Sequence, residues 1–287
     1  SGELTLSEPV FTGGGRFAAF GTAFTLDDNS SDSGLVSGGG DIDLRGITGK
    51  VSIAEDIDTG GGDFFSGGTD LRFEELFDFL GQDSLRTKGG LVDLSGHTGD
   101  IESLLSRYRI ITGGGDFIAT GVKNISLIPL PGFGIWSIDT DGRSGHDAGS
   151  VTIEASNAVA VTGISAAGSA GKAGGAVDLR AGGKLAVSGI DTRGGGSSAG
   201  YAISDIAGGS VRLEGSAVEL SNSGDLSFVA INSSGGNGEG VGGNIDVHGA
   251  LKLTGNTTFT TGTTGGDITF HGKVNSDGTA RNLTLTA

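Results

Sequence analysis

Cysteine and methionine are absent from this chain, and proline occurs only 3 times in 287 residues. Without cysteine there is no disulfide framework, no thiolate metal site and no thiol nucleophile, so packing and hydrogen bonds must hold the fold. The missing initiator methionine suggests a chain that is processed or belongs to something longer. Basic residues are also scarce, 18 against 34 acidic ones, for a net charge of −16. That surplus repels phosphate backbones and anionic lipid, so neither nucleic acid nor a membrane surface is an expected partner. No apolar run approaches the roughly 18 residues that span a bilayer, and Ser1-Gly2-Glu3-Leu4 does not read as a signal peptide, so no membrane insertion is expected. What the chain has in abundance is glycine, at 59 residues, together with 35% hydrophobic residues. The second figure is enough for a continuous core, and a folded chain is expected.

The glycines are periodic. A pair of small residues, a spacer and then alternating apolar and polar residues recur as GGDIDLRG from Gly39, GGLVDLSG from Gly89, AGSVTIEA from Ala148, GGAVDLRA from Gly174, GGSVRLEG from Gly208, GGNIDVHG from Gly242 and GGDITFHG from Gly265, with weaker copies at Gly14, Gly61 and Gly114. Successive copies are roughly 22 to 34 residues apart, in the range of solenoids and propellers. A second alternating segment follows the stronger copies, as in Val159-Ala160-Val161, Leu185-Ala186-Val187, Val218-Glu219-Leu220 and Leu251-Lys252-Leu253, and a third lies near Ile164, Ile190, Phe228 to Ile231 and Phe259. Three short strands per repeat cannot bury their own apolar face, so repeats must stack on a shared core. The shortest spacing is too small for a propeller blade of about 40 residues. The spacing predicts an all-β chain, a single parallel β-helix (β-solenoid) over 1–287 with three short strands per coil and roughly nine to ten coils. Residues 145–287 are its most regular part. Leu71 to Leu80 and Ile101 to Tyr108 have helix-like spacing, which predicts short helical insertions in the early coils, an irregular decoration over 66–108. Leu283 to Ala287 reads as a strand of an unfinished coil, whose edge must be capped, continued or stacked on another molecule.

Alternation also predicts register, because residues two apart share a face. Val151/Ile153, Val177/Leu179, Val211/Leu213, Ile245/Val247 and Ile268/Phe270 should point inward. The outward columns then read Thr152, Asp178, Arg212, Asp246, Thr269 and Glu154, Arg180, Glu214, His248, His271, with Glu219 beside Lys252. Charges alternate in sign down each column, so opposite charges should face each other across coils.

The C-terminal GGDITFHGKVNSDGTARNLTLTA, and the recurrent IDT-x-G at Ile138 to Gly142 and Ile190 to Gly194, resemble the passenger repeats of filamentous-haemagglutinin-like bacterial surface exoproteins of the two-partner-secretion type. The likeness covers roughly residues 35 to 287 and is closer after 145. It implies right-handedness for the β-helix, a secreted location at the cell surface or in an extracellular matrix, and a structural role as a shaft or fibre subunit of a filament or adhesin stalk. It transfers no binding residue.

Asp139, Asp141 and Asp147 carry oxygen ligands at spacings a calcium loop uses, without the closing bidentate acid of an EF-hand, and Asp27, Asp28 and Asp32 form a second acidic loop of that kind. Calcium is thus the first cofactor the sequence raises, against the plainer reading of solvated loops, and a metal on the His248 and His271 pair ranks below an exposed ladder pair. A carbohydrate-active enzyme would need two carboxylates about 5 to 9.5 Å apart, which Asp178 and Asp246 could supply, but Arg212 falls between them. No nucleophile elbow occurs and the four histidines are scattered, so no enzyme is expected. His248 and His271 should stack on one face. The threonines from Thr257 to Thr264 fall mainly in one coil, too few for a regular ice-binding face. Trp136, with Phe133, Ile135, Pro129 and Pro131, is the one irregular aromatic patch, a core buttress or a contact for sugar or protein. Partners therefore reduce to self-association or continuation through the solenoid ends, and to a glycan or host-surface ligand on the variable loops.

Overall fold

The computed structural model describes residues 2–27, 34–74, 84–103, 108–128, 137–196, 206–221, 229–236 and 240–287. Among these there is no α-helix, and every strand pairing is parallel. Three hydrogen-bonded ladders run the length of the chain. The first begins Phe17–Gly21, Ile42–Ile47, Phe64–Gly68 and Val92–His97 and ends at Ile268–Phe270. The second begins Glu3–Leu6, Ala23–Leu26 and Val51–Ile53 and ends at Val274–Ser276. Longer strands such as Phe117–Leu127, Val151–Val161, Val211–Leu220 and Ile245–Leu253 turn the corner between these two without a break, which joins them as one 17-stranded sheet. The third ladder is an 11-stranded sheet of short strands from Val10–Phe11 to Leu283–Thr286.

The expected register holds throughout the regular part. Val151 pairs with Val177, Val177 with Val211, Val211 with Ile245 and Ile245 with Ile268. The same column extends back through Phe117, Val92, Phe64 and Ile42. In the third ladder Leu35, Ile57, Leu85, Ile110, Ile138, Ile164, Ile190, Ile231 and Phe259 stack likewise. Apart from Ile268, in the last rung, all of these are buried. Each such side chain contributes roughly 1.5–3 kcal/mol through burial. The strand contacts run chiefly between neighbouring rungs, so the core is a line of like residues rather than a ball.

The helical insertions are not what the described residues form. Leu71–Phe73 and Asp100–Ser103 are strands paired to each other, and the first also pairs with Val51–Ile53. Leu71 and Phe73 are buried while Arg72 faces outward toward Glu102, a period of two. Pairing with neighbours on both sides outweighs the local helix-like spacing. Tyr108 adds a stacked ring 4.5 Å from Phe73. The rest of those two segments, 75–83 and 104–107, lies outside the described residues.

Glycine is required at the corner before the first-ladder strands from Ile42–Ile47 to Ile245–Leu253. Gly40, Gly62, Gly90, Gly115, Gly149, Gly175, Gly209 and Gly243 form a column in which a Cβ would fall under 3.0 Å from the backbone of the rung before. None of these eight has positive φ, so the constraint is close approach of two backbones. The glycines just before several of them, such as Gly39, Gly61 and Gly114, do take positive φ and make the turn.

Candidate functional site

Beside the glycine column runs a second one that sequence reasoning missed. Ser37, Thr59, Thr87, Thr112, Thr140, Thr192, Ser233 and Thr261 are fully buried at the corner. Each hydroxyl donates to the carbonyl of the glycine closing its own corner, at 2.7 Å for Thr140 to Gly149 and Thr192 to Gly209. Several also reach the next rung, as Ser37 does to the Thr59 carbonyl at 2.9 Å. The signal was present as Thr12, Ser37, Thr59, Thr87 and Thr112 before their glycines. In the register of the third ladder Ala166 stands between Thr140 and Thr192, a rung without a hydroxyl.

The acidic residues serve the same stack. Asp41 accepts the amide of Asp63 at 3.0 Å, Asp63 that of Leu91 at 2.8 Å, and Asp116 that of Ser150 at 2.7 Å. Asp56 and Asp70 do so for Ser84 and Asp100. A carboxylate that caps the amide of the next rung satisfies a donor the corner would otherwise leave open. Asp43 is the most confined: Arg45 chelates it at 2.7 Å and Arg16 reaches it from the rung before, and the bond to Arg45 leads in holding its carboxyl well below the usual carboxylate range.

Asp139, Asp141 and Asp147, the candidate calcium ligands of the first loop, accept bonds of this kind. Asp139 accepts the Asp141 amide and Arg109 Nη2, each at 3.1 Å. Asp141 accepts the Ser165 hydroxyl at 2.6 Å and the Ala167 amide at 2.7 Å, and burial raises its pKa against those bonds. Asp147 accepts the Ala173 amide at 2.9 Å. Asp27 closes the second ladder with its amide on the Leu6 carbonyl, while Asp28 and Asp32 lie outside the described residues. The aromatic patch from Pro129 to Trp136 lies outside them too. In the threonine-rich segment Thr257 and Phe259 point inward, and the outward Thr258 and Thr260 meet Thr284 and Thr286 on one side but Ala230 and Asn232 on the other.

On the outer face Asp178, Arg212, Asp246 and Glu154, Arg180, Glu214, His248 stand in the expected columns. The ion pairs close differently. Arg180 chelates Asp178 and Arg212 reaches Glu214 at 2.6 Å, both along one strand, because a guanidinium fork laid along the strand meets a carboxylate two residues away on the same face. Across rungs, Lys184 meets Glu219 at 2.7 Å with Lys252 at 3.8 Å, and Arg72 meets Glu102. Arg212→Glu would place three acids in one column and a fourth beside it. A loss of roughly 1 kcal/mol is expected, larger at low than at high salt, in urea denaturation. An unchanged midpoint at both ionic strengths would leave these columns no role in setting register.

His248 and His271 stack as expected, with ring centroids 4.0 Å apart and planes within 10°. Asp246, two residues before His248 on the same face, was not singled out as their neighbour; its Oδ1 is 3.7 Å from His271 Nε2. One open groove of about 540 Å³ lies on the loop side, lined by Ala167, Gly168, Arg193, Gly194, Asn232 and Ser234 among others. Arg193 is held there by Asp191 at 2.7 Å. The chain matches no protein-family description, no curated protein and no solved structure, so these residues are read from their geometry alone.

Proposed function

We propose that the chain is an extracellular structural protein, a right-handed parallel β-helical shaft or fibre subunit of a bacterial surface filament or adhesin stalk. Residues 1–287 form one solenoid with three short strands per coil. The observation that carries this reading is the stacking of like on like from rung to rung: apolar on apolar inside, glycine on glycine at the corner, and hydroxyl above hydroxyl there except at Ala166. The third ladder supplies one strand per coil, and its 11 strands count one coil more than the ten glycine repeats mark. Both end rungs leave inward-facing apolar side chains partly uncovered, Leu4 and Leu6 at one end and Leu285, 51% exposed, at the other, which suits continuation by further chain or by a second copy.

A glycan- or surface-binding module is the second reading, and the groove at Arg193, Asn232 and Ser234 favours it. A carbohydrate-active enzyme has less support, since Arg212 stands between the carboxylates of Asp178 and Asp246 in their column. Electron microscopy of the purified chain, with and without a calcium chelator, tests the shaft. Rods about 5 nm long per chain are expected from strands spaced about 4.8 Å apart, alone or as filaments with that axial period. Compact particles without axial extension would sink the reading, and loss of filaments in chelator would return the acidic loops to calcium.

A further inference from the structure

Asp246, His248 and His271 meet on the outer face, where the shaft reading gives them no task. Asp246 and His248 share one face of Ile245–Leu253, and His271 follows Ile268–Phe270, the strand paired with it in the next rung. One ligand atom from each lies within 4.8 Å of the others. Arg212, the Cα partner of Asp246 on the preceding rung, turns its guanidinium to Glu214 and leaves the Asp246 carboxylate facing His271. Two imidazole nitrogens and one carboxylate oxygen suit zinc and its neighbours copper(II) and nickel(II), not calcium or magnesium, which take oxygen alone.

We propose that these three side chains bind a divalent transition-metal ion of the zinc class, with water completing its coordination. Donors around tetrahedral zinc stand about 3.4 Å apart, as bond lengths near 2.1 Å require. The group therefore closes by about an ångström, through rotation of side chains that solvent leaves free to turn; that of His271 is 46% exposed. Because His271 belongs to one rung and the other two ligands to its neighbour, the ion fastens the last rung of the first ladder to the rung before it. This site is separate from the acidic loops and does not depend on the shaft reading.

Titration of the full chain with zinc chloride, followed by calorimetry and by hydrogen exchange, tests it. One saturable site per chain is expected, weakened by more than about tenfold in His271→Ala, His248→Ala and Asp246→Asn. His146→Ala, on a distant loop, should bind as the parent does. Zinc should also slow amide exchange in Ile268–Phe270 and Val274–Ser276 in the parent but not in His271→Ala. The proposal is overturned by the absence of saturable uptake, by uptake that survives His271→Ala, or by equal loss in His146→Ala. Circular dichroism of each variant separates loss of ligand from loss of fold, since these side chains lie outside the core.

Discussion

Gly175→Ala is expected to destabilise the protein by more than about 3 kcal/mol, a melting temperature roughly 6–12 °C lower, from the addition of one methyl group. The new Cβ would fall on the carbonyl of Gly149, a backbone group fixed on both sides by the ladders. A side chain in the way could rotate aside, but here two rungs must separate, and every pairing at that interface stretches with them. Gly15→Ala is the control. It occupies the first position of the same column, has no rung before it, and its Cβ would meet only Thr12, at 3.4 Å from the carbonyl oxygen. That variant should melt within about 2 °C of the parent, by the scale for an ordinary surface change. Equal melting of the two variants would show that close stacking of backbones is not what selects glycine here.

The second large effect is one of pH. His97 ends a first-ladder strand, is fully buried, and shares one side-chain hydrogen bond, between Nε2 and the Ser66 hydroxyl at 2.9 Å. Burial lowers its pKa from 6.5 to about 4, against the opposing pull of the Asp70 charge and the Thr69 backbone. The unfolded chain therefore binds this proton from about pH 6.5 downward, while the folded chain refuses it until about pH 4. Stability is complete above pH 6.5 and falls through that window by roughly 3 kcal/mol in all. Asp43 does not contribute there: its carboxyl is held below the usual range, so its contribution is lost only as the pH drops past ordinary carboxylate values. Urea midpoints at pH 7 and pH 4.5 should differ much less in His97→Gln, whose amide can donate to or accept from Ser66, than in the parent. Identical pH slopes would remove His97 from the account.

Strands and register were legible because alternation is a short-range pattern that stacking then repeats. Val151, Val177, Val211 and Ile245 announce their own column, and the outward charges follow from it. The helix-like spacing at Leu71 misled because it rests on residues beyond the strand, whereas Leu71 and Phe73, two apart, share a face only in a strand, and pairing with Val51–Ile53 and Asp100–Ser103 decides. The hydrogen bonds of the candidate calcium loop were hidden for a related reason: Asp141 and Asp147 lie within the corner between Thr140 and Gly149, and the amide each caps lies about one rung further along the chain, at Ala167 and Ala173. Such a partner is invisible until the rungs are aligned. The meeting of Asp246 with His271 has the same origin, while the hydroxyl before each glycine could have been read directly.

The stack also has a mechanical consequence. Its inter-strand hydrogen bonds lie along the long axis, so tension applied at the two ends pulls on the bonds themselves. At each interface three ladders share the load side by side, but the interfaces follow one another in series. Stiffness is therefore an average over all rungs, whereas breaking force is set by the poorest one. Where Ala166 interrupts the hydroxyl column, the flanking third-ladder strands are only Ile138–Asp139 and Ile164–Ser165, two residues each. A chain so built yields at a position chosen by a few residues, however uniform the rest of its length.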